Sequence, residues 1–126
     1  MTTLINFSHP LTDEQTRQIT AHVGEIQTIA VKCQLDITIP FGPQIVALAD
    51  QASLTNATLY QAERILVLLP ALAPAAALMV AELQGRTGYF PPCVRLAQRP
   101  NSVPPVFDLA EIMDLNDQRQ EARKRR

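Results

Sequence analysis

A chain of 126 residues, 47% of them hydrophobic, has room for one domain with a real core and is too apolar to be disordered. The formal charge is −1, but it is uneven: from Arg119 onward there are five basic residues and one acidic, whereas the first 118 residues carry six basic and eleven acidic, a net of −5. A mildly acidic body argues against a broad double-stranded nucleic-acid surface, and no segment reaches the roughly 18 uninterrupted apolar residues of a membrane span.

Thr3 to Phe7 predicts a short apolar strand. Thr12 follows as the N-cap of a helix, with Gln15 three positions on to complete a capping box. Ile19 and Val23 lie on one helical face, and Gly24 is placed to end the helix. Ile26 to Cys33 is rich in β-branched residues and predicts a second strand; the alternation of Leu35, Ile37 and Ile39 with polar residues extends it toward Pro40. Phe41-Gly42-Pro43 reads as a turn, Gln44 to Ala52 as a second helix, and Thr55 to Arg64 as loop with some helical character.

Ile65 to Leu69 are five successive aliphatic residues with no polar alternation, as a strand buried on both faces of a parallel sheet requires. Pro70 stops that strand and Pro74 suits a first helical turn, where its missing N–H has no partner to lose. Ala75 to Leu83 is a good helix former rich in small side chains, and Gly85 is placed to end it. Cys93 to Ala97 predicts a fourth strand, entered through Pro91-Pro92, and Gln98 to Pro105 a polar, proline-bearing loop expected to be mobile. Val106 to Ile112 predicts a last strand, the alternative being one helix from Phe107 on. Asn116 or Asp117 then caps a basic C-terminal helix or tail over 116–126. The order β-α-β-α-β-α-β predicts a single α/β domain, a mostly parallel open sheet flanked by helices.

Loops after the strands of such a sheet carry function. Asn6, Ser8 and His9 bring an amide, a hydroxyl and an imidazole just ahead of a capped helix, whose N-terminus attracts anions. His9 reads as an acid–base residue or a base-recognising donor; alternatively Ser8 and His9 only satisfy backbone groups where the chain turns. Pro70, Ala71, Leu72 and Ala73 would line a crevice at the end of the central strand. Arg86 suits a phosphate or carboxylate, and a fixed salt bridge with Glu82 explains it nearly as well. Four glycines allow neither a P-loop nor a dinucleotide fingerprint, and there is no nucleophile elbow or paired-carboxylate motif. Cys33 and Cys93 have no Cys or His at ligand spacing, so they read as reduced thiols, and no metal or cofactor is expected. The N-terminus has no basic region ahead of an apolar stretch, so a soluble cytoplasmic protein is the expectation.

With these residues in view the chain resembles a family. HPLT from His9, LAPAAA from Leu72, GRTGYFPPCVRL from Gly85, and FDLAEIMDL from Phe107 ahead of an arginine-rich helix are similar to small accessory proteins encoded beside type III CRISPR systems. Their fold resembles that of CARF domains, the Rossmann-like sensors of those systems. Gln84 departs from the resemblance, a neutral amide standing where it suggests a histidine. The resemblance implies a single Rossmann-like (CARF-like) domain over 1–126 that binds a cyclic oligoadenylate messenger of antiviral defence, in particular cyclic tetra-adenylate. It implies a homodimer holding the ring across its two-fold axis, with any higher assembly on ligand binding left open. Ser8, His9 and the loop from Pro70 to Ala73 would meet the ring, with N–H groups at the starts of the first and third helices on its phosphates. Phe41 would flank an adenine, or serve the core or the dimer interface.

Two outcomes follow: a binding protein that sequesters the messenger, or a ring nuclease that cleaves it by metal-independent 2′-hydroxyl attack, with Ser8, His9 and Arg86 as catalytic candidates. The few ionisable groups in the predicted loops favour binding. A structural or regulatory protein without a nucleotide ligand is the third reading.

Overall fold

The computed structural model describes residues 1–52 and 64–126. The expectation for Thr55 to Arg64 therefore lies outside the described residues, except that Arg64 opens a strand.

Two apolar runs form the centre of the sheet. β1 (Thr2–Asn6) is buried at every position, and β3 (Arg64–Leu68) at every position but its first. They pair in parallel, Leu4 beside Leu66 and Asn6 beside Leu68. Strands covered on both faces need no polar alternation, which is why neither shows any. β2 (Ile26–Ala30) pairs in parallel with the other side of β1. β4 (Cys93–Gln98) is parallel to β3, and β5 (Phe107–Met113) is antiparallel to β4, with a register shift between Arg95 and Leu96. The order is β2-β1-β3-β4-β5.

The alternation of side chains along each strand divides the core in two. On one face Leu4, Leu66, Leu68 and Val94 pack around Ile19 of α1 (Asp13–Val23). On the other, Ile5, Phe7, Ile65, Val67 and Cys93 meet Ile45, Leu48 and Ala49 of α2 (Phe41–Ala52) and Ala75, Met79 and Leu83 of α3 (Ala73–Thr87). Each of the larger of these side chains contributes roughly 1.5–3 kcal/mol when fully buried. α4 (Leu115–Arg123) buries no residue completely. It is tied down by Asn116, whose amide accepts from the Phe90 N–H at 3.1 Å and donates to the Phe90 carbonyl at 2.8 Å. The architecture is a Rossmann-like α/β domain, with four helices among the described residues.

The capping box of α1 is complete: the Gln15 N–H donates to Thr12 Oγ1 at 3.1 Å and the Thr12 N–H to Gln15 Oε1 at 3.0 Å. The Gln15 amide also donates to the Phe107 carbonyl at 2.9 Å, while Gln18 accepts from the Leu109 N–H at 2.8 Å and donates to Asp108 at 2.9 Å. Helix α1 thereby binds the backbone of β5 as well as the face of the sheet.

Several boundaries differ from the sequence expectations, each for a local reason. β2 ends at Ala30 and not at Cys33, and the stretch toward Pro40 turns instead of staying extended. Asp36 Oδ1 accepts from the Thr38 N–H at 2.9 Å and from its hydroxyl at 2.6 Å, while Gln44 accepts from the Asp36 N–H at 2.8 Å and donates to the Asp36 and Pro40 carbonyls at 3.0 Å. Phe41-Gly42-Pro43 is the first turn of α2, where proline is tolerated because its N–H would be unpaired anyway. α3 runs through Gly85 to Thr87; Gly88, at φ 84°, supplies the left-handed conformation and its N–H reaches the Gln84 carbonyl at 2.8 Å. Phe107 to Met113 is strand, not helix, and the cap of α4 is Asp114, which accepts from the Asp117 N–H at 2.9 Å. The loop between β4 and β5 is a hydrogen-bonded turn, with Ser102 Oγ donating to the Arg99 carbonyl at 2.7 Å and accepting from the Val106 N–H at 3.0 Å.

Both cysteines are free thiols. Burial pushes Cys93 from an ordinary 9.0 up to about 11. Across that interval an unfolded chain has released the proton that the folded protein keeps, so stability falls as pH rises through it and is untouched below. Urea unfolding midpoints should drop more steeply over this range in the native protein than in Cys93→Val; parallel curves would assign the alkaline loss to other groups.

Candidate functional site

Strands β1, β2 and β3 are parallel and so end on the same edge of the sheet. From β1 the chain passes to α1 on one face and returns in β2; from β3 it passes to α3 on the other face and returns in β4. The connections leave β1 and β3 in opposite directions, which opens a crevice between them at their carboxyl ends. A pocket of about 160 Å³ lies there. Phe7, Ser8 and His9 come from the loop after β1, Cys33 and Leu35 from the loop after β2, and Pro70, Ala71 and Leu72 from the loop after β3. A wider depression of about 470 Å³ shares Ser8, His9 and Cys33 and reaches Asn6 and Lys32.

The floor is apolar, with a hydroxyl, an imidazole and a thiol at the rim, and among the described residues no carboxylate lines either hollow. Burial holds the Cys33 thiol above its usual range, so it stays protonated at neutral pH and is a poor nucleophile. Among the described residues no group of three His, Cys, Asp or Glu could hold a metal ion, and no helix is long and apolar enough to cross a membrane.

The two helix starts beside the crevice differ. That of α1 has its Thr12 and Gln15 donors paired in the capping box and carries Asp13 and Glu14 in the first turn, which oppose an anion. That of α3 has Leu72 as its N-cap with no side-chain capping bond, Pro74 in the first turn and no acidic residue there. Only the second presents a helix dipole uncompensated by carboxylates.

The structure brings Ser8, His9, Pro70, Ala71 and Leu72 together around one pocket, and Ala73 begins α3 at its lip. Asn6 sits beneath them, 3% exposed, with its amide engaged by its own loop: Oδ1 accepts from the Ser8 N–H at 2.8 Å and Nδ2 donates to the His9 carbonyl at 2.9 Å. Phe41 is half-buried and packs against the core beneath α2.

Arg86 is elsewhere. It lies 13 residues along α3 from Ala73, about 20 Å at the helical rise. Its guanidinium bonds Glu82 at 2.7 Å, Asp50 at 2.9 Å and the Val46 carbonyl at 3.3 Å. It ties α2 to α3, the salt-bridge alternative extended by a second carboxylate. Phe7, Cys33 and Leu35 also line the pocket without standing out in the sequence: Phe7 reads there as the last apolar residue of a strand, and Cys33 and Leu35 as part of an extended β2.

No protein-family model, curated protein or solved structure matches this chain. Fold and site together define a Rossmann-like α/β domain with a small crevice at the topological switch point of its sheet.

Proposed function

We propose that this protein binds a cyclic oligoadenylate messenger of type III CRISPR defence, cyclic tetra-adenylate, at the crevice between β1 and β3, and damps the response in the cytoplasm by sequestering it. The observation that carries this reading is the pairing of an apolar floor, Phe7, Leu35 and Leu72, with a rim that is free of carboxylates among the described residues, beside the start of α3, which has no side-chain cap. An adenine suits the floor, and a phosphate suits the helix start together with Ser8 and Lys32. At about 160 Å³ the pocket is well below the roughly 300–1,000 Å³ that encloses a drug-sized ligand, so a four-nucleotide ring needs a second protomer. A symmetric ring fits a symmetric homodimer, and the resemblance of HPLT, LAPAAA and GRTGYFPPCVRL to CARF-like accessory proteins supplies the ligand class.

Binding is favoured over cleavage because, among the described residues, His9 and the protonated Cys33 are the only titratable side chains lining the smaller pocket. A ring nuclease acting through the 2′-hydroxyl needs chiefly orientation and charge stabilisation, so His9 and Ser8 keep that alternative specific. The deciding experiment incubates excess protein with radiolabelled cyclic tetra-adenylate without metal and follows both the gel shift and the products. The expected result is a retained, intact ring with both the wild type and His9→Ala. Linear products that vanish in His9→Ala, with binding kept within a few-fold, would replace sequestration by the nuclease reading. No shift and no cleavage would end both. Sequestration also requires protein in excess of messenger and tight binding, since a binder lowers free ligand only by mass action.

A further inference from the structure

Asn6 is a polar side chain buried at the floor of the crevice, and its two bonds need an acceptor at one end and a donor at the other, as a neutral amide supplies. One end accepts a hydrogen bond from the Ser8 N–H and the other donates one to the His9 carbonyl, at 2.8 and 2.9 Å. At 3% exposure neither bond can be replaced by bulk water without opening the site. Asn6 also joins the loops through its backbone: its carbonyl accepts from the Val31 N–H at 2.9 Å, and the next N–H, that of Phe7, donates to the Leu68 carbonyl at 2.9 Å. Ser8 and His9 above it, Val31 at the start of the loop that carries Cys33 and Leu35, and the end of β3 are all registered to this residue.

We propose that Asn6 is a positioning residue for the crevice: its amide, donor at one end and acceptor at the other, holds the Ser8–His9 turn in the geometry that receives the ligand. This rests on the reading of the crevice as the ligand site. The requirement is chemical as well as spatial. An aspartate has the same shape, but when ionised it is acceptor-only, so it keeps the Ser8 bond and turns a negative oxygen toward the His9 carbonyl. When protonated it has a donor again and restores both bonds. Burial beside a carbonyl raises the pKa of such a carboxyl, which brings the change into an accessible pH range.

The test measures cyclic tetra-adenylate binding by wild type and Asn6→Asp from about pH 8 to about pH 5, a span around the raised carboxyl value. Among the described residues the other titratable groups lining the depression are His9, Lys32 and Cys33; both proteins share them, so the ratio of affinities removes their contribution to first order. Asn6→Asp should bind about 10- to 100-fold more weakly at the alkaline end, the range for a buried group left without its partner, and the ratio should close to about threefold at the acid end. Asn6→Ser, which can span only one of the two bonds and has no comparable titration, should bind weakly at every pH. It also serves if Asn6→Asp does not fold at alkaline pH. A ratio that stays flat with pH, or Asn6→Ser binding like the wild type, would overturn the proposal.

Hydrogen exchange of the Ser8 amide separates this inference from the ligand reading. If the wild type binds nothing, the ligand reading fails. A Ser8 amide equally protected in wild type, Asn6→Asp and Asn6→Ser would then remove the positioning role without reference to any ligand.

Discussion

Replacing Leu72 by aspartate should make the protein more stable and worse at its proposed task. Leu72 is the N-cap of α3, in an extended conformation at φ −83° and ψ 129°, with no side-chain bond to the helix and 48% of its surface exposed. Aspartate is among the best residues for such a position, where a cap is typically worth about 1 kcal/mol and the helix dipole adds roughly 0.3–1 kcal/mol. Half of the leucine side chain is already in water, so the lost packing offsets only part of this gain. A net stabilisation near 1 kcal/mol corresponds to a rise of about 4 °C in unfolding temperature.

The same carboxylate stands where a phosphate would lie. Two like charges about 4 Å apart repel by roughly 4 kcal/mol at the effective dielectric of a protein surface, so affinity for cyclic tetra-adenylate should fall by about 100-fold or more. Leu72→Asn keeps most of the cap without the charge and should lose much less. Thermal unfolding and a gel shift on the three proteins check both halves. Binding unchanged in Leu72→Asp would remove the start of α3 from the phosphate site.

Phe7→Ala carries the largest expected loss of stability. Phe7 is fully buried, packs in the core beneath α2 and α3, and also forms part of the pocket floor. Truncating a buried phenylalanine costs about 3–5 kcal/mol, against a total of roughly 5–15 for a natural domain. The urea midpoint should therefore fall by roughly a fifth or more, with the slope unchanged if unfolding remains two-state. Where the variant is still folded, ligand affinity should drop at least tenfold, because the surface that faces the base is gone. Phe7→Leu refills most of the volume and should recover most of both. Full affinity in folded Phe7→Ala would mean that the apolar floor takes no base.

These expectations rest unequally on what the residues disclose in one dimension. Thr12 and Gln15 state their role within four positions, because a capping box is a local device, and the structure contains it as read. Ile65 to Leu68 announce a strand covered on both faces simply by lacking polar alternation. The loops after β1 and β3 were legible for the same reason: each follows such a run, and the edge where they meet follows from parallel pairing. Gly85 against Gly88 was not legible. Both are plausible helix ends, and the choice depends on how far α3 must run to reach the far edge of the sheet. Cys33 and Leu35 were hidden because β2 is an edge strand whose length is set by its partner β1, which ends at Asn6 opposite Ala30. Arg86 shows the same limit: its chemistry suits an anion, but the length of α3 places it near the opposite edge, on Glu82 and Asp50.

The two glutamines of α1 have a consequence for how this protein behaves when crowded. An outermost strand presents free amides and carbonyls to any extended chain that drifts past, and such rows are where fibrils and swapped dimers begin. On β5 the Phe107 carbonyl and the Leu109 amide already hold Gln15 and Gln18. Flanking charges from the Arg95–Glu111 and Arg99–Asp108 pairs add a solvated fringe to the same hairpin. Two neutral side chains on a helix thus guard this margin against templated growth.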